Sequence, residues 1–175
     1  VQTCALPIYG EAIALAAPHA QPPEQLSYRQ LHLRIEQAAA GFAALGIAAG
    51  DVVALFAENS ARWLVADQAL MRLGAADAVR GSSAPAEELR YIASDSGAVA
   101  LVLESAALLA QLQPPPELLE RLRAVVLLQG APPAEEPAGV PCLSWEQLLE
   151  RGAAAAAPVW PAAESSRLAT VLYTS

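Results

Sequence analysis

Hydrophobic residues along the chain fall into two alternating patterns. Short continuous apolar runs are separated by longer segments in which apolar positions recur every three or four residues. Val52-Val53-Ala54-Leu55-Phe56 and Ala98-Val99-Ala100-Leu101-Val102-Leu103 are of the first kind, short enough to be strands buried on both faces. Ala12 to Leu15, Ala75 to Val79, Ala124 to Leu128 and Leu168 to Leu172 read the same way. Between them, Leu31, Ile35, Ala38, Phe42 and Leu45 mark one face of a helix. Ser27 stands at its N-cap with Gln30 three residues on, a capping box, and Leu26 is placed to staple onto Leu31. Gly46 follows, where a left-handed residue closes a helix.

The alternation continues. Glu58-Asn59-Ser60 can cap a helix whose apolar side is Trp63, Leu64, Leu70, Met71 and Leu73, stopped by Gly74. Ser83 is placed to cap a third helix, with Pro85, Glu87 and Glu88 in its first turns, ending near Ser96-Gly97. Shorter helices are predicted around Ala106 to Leu112 and Glu117 to Leu122. Ser144-Trp145-Glu146-Gln147 is a second capping box, and Gly152 is the predicted stop of its helix. Gln129 to Pro141 is proline-rich and reads as a surface loop. Ala153 to Ser166, low in complexity and carrying Pro158 and Pro161, reads as a linker feeding the final strand. Strands alternating with helices predict an α/β fold, a mostly parallel sheet built from repeated βαβ units.

Composition narrows the function. The chain has 175 residues, 55% hydrophobic and 16% charged, with a net charge of −8. That is enough length for one folded core. All ten basic residues are arginine. The acidic balance argues against a nucleic-acid binder, which would normally carry a basic face. No apolar run reaches the roughly 20 residues of a transmembrane helix, and no basic amphipathic helix marks a membrane surface. A cytoplasmic protein is the expectation. Cys4 and Cys142 have no metal-ligand spacing, His19 and His32 stand alone, and no metal-ligating set is expected. Trp63, Trp145 and Trp160 are expected to pack, Trp160 pinning the linker. Residues 1–8 resemble a common sequencing-library adapter read in frame and are taken as non-native, leaving 9–175 as the folded part.

Two blocks carry the chemistry. The first is Gly50-Asp51, the strand to Phe56, Glu58-Asn59-Ser60, Trp63 and then Leu73-Gly74-Ala75. The second is the ending Leu168 to Tyr173-Thr174-Ser175, a strand running into hydroxyl residues at its carboxyl end. In α/β sheets ligands bind at that end, and a turn there can aim N–H groups and hydroxyls at phosphate oxygens. Together these blocks resemble the AMP-forming acyl-activating (adenylate-forming) enzymes, whose phosphate loop reads Tyr-Thr-Ser-Gly-Thr-Thr-Gly-x-Pro-Lys-Gly. The chain matches the first three positions of that loop. Phe56 to Gln68, Asp77 to Ser83 and Glu87-Glu88-Leu89 are similar to the long-chain acyl-CoA and acyl-ACP synthetases of cyanobacteria and plastids.

The resemblance spans about Ala12 to Ser175 and implies an incomplete N-terminal portion of an AMP-binding synthetase large domain. It implies that Thr174 and Ser175 supply the first hydroxyls of an ATP-binding loop, with no catalytic residue in the chain itself. ATP and Mg2+ would be used by the whole enzyme, a fatty acid would be the substrate, and coenzyme A or an acyl carrier protein the acceptor. Peripheral membrane association stays open, as does the acyl class: an aryl-CoA ligase or a peptide-synthetase adenylation domain shares the same motif. A non-catalytic α/β binding domain is the alternative of another kind. Asn59-Ser60, at a strand's carboxyl end, could face a ligand or equally cap the helix that follows. Arg80-Gly81-Ser82-Ser83 could hold an anion, but capping is the stronger reading of Ser83.

Overall fold

The structure is a computed structural model and describes residues 9–19, 23–156, 158–162 and 164–174. The proposed adapter-like octet therefore lies outside the described residues, as does Ser175.

Two strands, β1 (Ile13–Ala17) and β2 (Glu24–Ser27), pair antiparallel as a small separate sheet. β2 has no apolar run, so no strand was expected there. Six further strands form one parallel sheet: β3 (Val52–Phe56), β4 (Ala76–Arg80), β5 (Ala100–Ser105), β6 (Ala124–Gln129), β7 (Cys142–Ser144) and β8 (Thr170–Leu172). Their spatial order is β7-β6-β5-β3-β4-β8. The helices are α1 (Tyr28–Ala44), α2 (Ala61–Leu73), α3 (Ala86–Asp95), α4 (Ala106–Leu112), the single turn α5 (Pro116–Leu119) and α6 (Trp145–Ala154). α5 is shorter than the predicted Glu117 to Leu122 helix, and β7 is too short to show as an apolar run.

The sheet is covered on both faces. Val53, Leu55, Val102, Val126 and Leu128 pack against α1, α2 and α6. Ala54, Phe56, Leu101, Leu103 and Leu127 face α3, α4 and α5. This double burial explains why the strands read as unbroken apolar runs. The expected packing of the tryptophans holds: Trp145 is buried, Trp63 and Trp160 lie half-buried on the same core, and the Arg72 guanidinium sits 4.6 Å from the Trp160 ring centroid.

Both capping boxes form. The Ser27 and Ser144 hydroxyls accept from the Gln30 and Gln147 amides, and each glutamine side chain returns to the cap's own N–H at 2.8 Å. Gly46 and Gly74 adopt φ of +84° and +75° and end their helices as expected. Gly152 does not. It lies inside α6, where a Cβ would fall on the Gln37 carbonyl oxygen of α1. Gly41 of α1 in turn meets the Leu148 carbonyl of α6. These two glycines are where the backbones of α1 and α6 come together, so the helix runs past Gly152 and irregular chain begins at Ala155 rather than Ala153.

Ser83 does not cap its helix either. α3 begins after Pro85, with no side-chain cap, and Ser83 instead donates to the Glu58 carboxylate. Pro85, not Ser83, therefore sets the start of the helix.

Candidate functional site

All six strands of the main sheet run parallel, so the chain's carboxyl strand ends gather along one edge. From β3, β4 lies on one side and β5 on the other, so the connections change direction between β3 and β5. A crevice at such a switch point is where open α/β sheets take ligands. β3 delivers Glu58, Asn59 and Ser60 to that edge, β4 delivers Gly81 to Ser83, and β6 delivers Gln129.

Ser60 is used for structure: its Oγ accepts from the Trp63 amide at 3.1 Å and caps α2. Asn59 is exposed and lines a cleft of about 1020 Å³ between the β1–β2 sheet and the starts of α2 and α6. Arg62, on the same wall, pairs with Glu146 at 2.7 Å and donates to the Leu128 carbonyl, tying α2 to α6 across the cleft floor. The Gly81 to Ser83 turn does not present itself to an anion. Ser82 and Ser83 donate to Glu58 Oε1 at 3.3 and 3.4 Å, so a carboxylate of the chain itself fills that position. A Cβ on Gly81 would lie 3.0 Å from the same oxygen, so any larger residue there would make the Glu58 carboxylate shift.

Thr174 leaves the carboxyl end of β8 as an exposed residue at the outer side of the sheet, next to β4. It does not line the cleft beside Asn59. The two sequence blocks are thus joined through the sheet, β3 to β4 to β8, and not through one pocket. β8 meets β4 in the register Asp77↔Thr170, Ala78↔Val171 and Val79↔Leu172.

Asp77 lies at the root of that pairing. It is 1% exposed on β4, facing α2, and neither carboxyl oxygen meets a partner at hydrogen-bond geometry. Asp67 of α2, 7% exposed, is its acidic neighbour and accepts from Gln68 at 2.8 Å. Burial pushes the Asp77 carboxyl up from 3.8 to about 7; the Thr170 side chain opposes the shift and Asp67 adds to it. A carboxyl within an Ala-Ala-Asp-Ala-Val run was the visible signal for this residue, since an acid inside an apolar strand is either paired or neutral. Its neighbour Asp67 had no such signal.

At the other end of β8, Tyr173 donates to Asp95 Oδ2 at 2.8 Å. Among the described residues no group of three or more His, Cys, Asp and Glu side chains is arranged to hold a metal ion. No helix of the described residues is long and apolar enough to cross a membrane.

A family model described as "AMP-binding enzyme" matches residues 7–175. The chain belongs to the AMP-binding enzyme family. A chloroplast long-chain-fatty-acid–[acyl-carrier-protein] ligase of Arabidopsis thaliana is 36% identical over 146 residues, covering 82% of this chain and 20% of that protein. A probable chloroplast acyl-activating enzyme 16 of the same plant is 33% identical over 189 residues, covering 95% of this chain and 25% of that protein. The chain thus spans about a fifth to a quarter of the length of these AMP-binding relatives. Among solved structures, the anthranilate CoA ligase AuaEII in complex with anthranoyl-AMP superposes with a TM-score of 0.74 at 21% identity, over 90% of this chain and 28% of that one. That likeness shows that the two share this α/β fold.

Proposed function

We propose that this chain forms the opening part of an ATP-dependent fatty-acid ligase, and that Thr174 and Ser175 begin its phosphate loop. The observation that carries the reading is the similarity to the two plastid relatives, one named for long-chain fatty acids and an acyl carrier protein. Family membership alone would leave the acyl class open.

In the proposed reaction a fatty-acid carboxylate oxygen attacks the α-phosphorus of ATP, and the bond to the bridging oxygen of pyrophosphate breaks. The acyl-adenylate then loses AMP to a thiol of coenzyme A or of a carrier protein's phosphopantetheine, forming the thioester. Thr174 suits a phosphate role on geometry: it is exposed, it lies at the carboxyl end of a parallel strand, and it follows the last residue of the ladder by two positions. Its hydroxyl and the N–H groups that follow would spread charge on the departing phosphates, an electrostatic task. The described residues assign no ligand to magnesium.

The test is fatty-acid-dependent exchange of labelled pyrophosphate into ATP by the whole protein. Exchange driven by long-chain fatty acids is the expected result. Exchange driven by benzoate or anthranilate and not by fatty acids would overturn the substrate class. The 175-residue chain on its own is expected to give no exchange, and turnover by it would show that the phosphate loop needs nothing beyond these residues.

A further inference from the structure

Tyr173 is the residue immediately before Thr174, and its side chain reaches away from its own strand. The hydroxyl donates to Asp95 Oδ2 at 2.8 Å. Its ring meets that of Tyr91 edge to face, with centroids 6.1 Å apart and planes at 85°. Tyr91 and Asp95 are four residues apart on α3 and so share one helix face. The three side chains form a bridge between the end of β8 and a helix packed across the sheet.

The bridge matters because little else holds this end of β8. The ladder to β4 covers three residues and stops at Leu172↔Val79. Leu172 is 68% exposed, and no strand among the described residues pairs with the far side of β8. Val171 and Tyr173 rest against the core under α3. Past Leu172, the Tyr173 ring and hydroxyl therefore fix the direction of the backbone. Burial, then the hydrogen bond to Asp95 and its charge, push the phenol up to about 12, so the proton stays on tyrosine and the contact is a charge-assisted bond from a neutral donor.

We propose that Tyr91 and Asp95 are positioning residues for the phosphate loop, acting through the Tyr173 side chain to set the direction in which the chain leaves β8 at Thr174. The inference rests on reading Thr174 and Ser175 as the loop's beginning. A phosphate cradle works only if its donors point at one spot, and displacements near an ångström are costly. Neither α3 residue needs to touch the nucleotide.

The experiment compares the whole enzyme with Tyr173→Phe, Asp95→Asn and the double variant, measuring pyrophosphate exchange and melting temperature. Phenylalanine keeps the edge-on packing and removes only the hydroxyl. Each single variant is expected to raise KM for ATP by roughly two- to tenfold, the worth of one hydrogen bond. KM for the fatty acid and the melting temperature should stay unchanged, and the double variant should lose no more than the worse single one. A merely structural contact would instead shift both KM values and the melting temperature together, and that result overturns the proposal. So does an unchanged KM for ATP in both single variants of an active enzyme. A wild-type enzyme without exchange activity would overturn the ligase reading itself, and the role given to the bridge with it.

Discussion

Replacing Asp77 by asparagine removes an ionisable group from the interior while keeping its shape. The native carboxyl is raised from 3.8 to about 7, mainly by burial. In the unfolded chain it ionises near its ordinary value. Between about pH 4 and pH 7 the native state therefore holds a proton that the unfolded state has released. Native binding of more protons means that stability falls as pH rises across that window. Integrated over the shift, the loss is on the order of 4 kcal/mol, an upper figure because some ionisation can be relieved by local opening. Asparagine has no proton to lose, and its amide can donate to Asp67. The variant should match or slightly trail the wild type at pH 4.5, then overtake it, and be more stable by about 1–4 kcal/mol at pH 8. Urea unfolding of the 175-residue chain, followed by the fluorescence of its three tryptophans, gives both curves. Other carboxylates add their own slopes to each protein, so the difference between the two proteins is the quantity that counts. A difference that stays constant from pH 4.5 to pH 8 would refute the reasoning, because it would mean that Asp77 titrates alike in folded and unfolded chains.

Gly152→Ala places a methyl against the Gln37 carbonyl, so α6 must move off α1; a loss of about 1–3 kcal/mol in urea unfolding is expected. Ser144→Ala breaks the second capping box and should cost about 1 kcal/mol, whereas Ser83→Ala, which caps nothing, should cost less than half of that by the same measurement. Cys142 is buried, and burial followed by the charge of Glu136 pushes its thiol up to about 11. Reaction with a thiol reagent at pH 8 should therefore be slow in the folded protein and rise steeply on unfolding in urea, a comparison followed by absorbance.

Much of the fold was written in local pattern. Apolar runs of strand length gave β3, β5 and β6, because a strand buried on both faces is mostly apolar on each. Ser27 with Gln30, Ser60, and Ser144 with Gln147 marked helix starts, because capping is settled within four residues of chain. The order of those signals already implied a parallel α/β sheet, and Tyr173-Thr174 pointed to a site at a strand's carboxyl end. Interactions between distant segments were not written there. Gly152 looks like a helix stop in sequence, since nothing local shows that a second helix requires its missing side chain. Ser83 looks like a cap until Glu58, 25 residues earlier, takes its hydroxyl. β2 and β7 lack a pattern of their own and exist by pairing with neighbours. Asp77 was a visible anomaly, but only packing brings Asp67 and Thr170 around it. The same holds for Tyr173 and Asp95, 78 residues apart. The sequence by itself thus determined most of the element types and their order, which follow from backbone and burial preferences of neighbouring residues. The tertiary structure alone decided which helices touch, what neutralises the buried acid, and what holds the end of β8 in place. Those outcomes depend on shape and charge meeting across the sheet, which no single stretch of chain records.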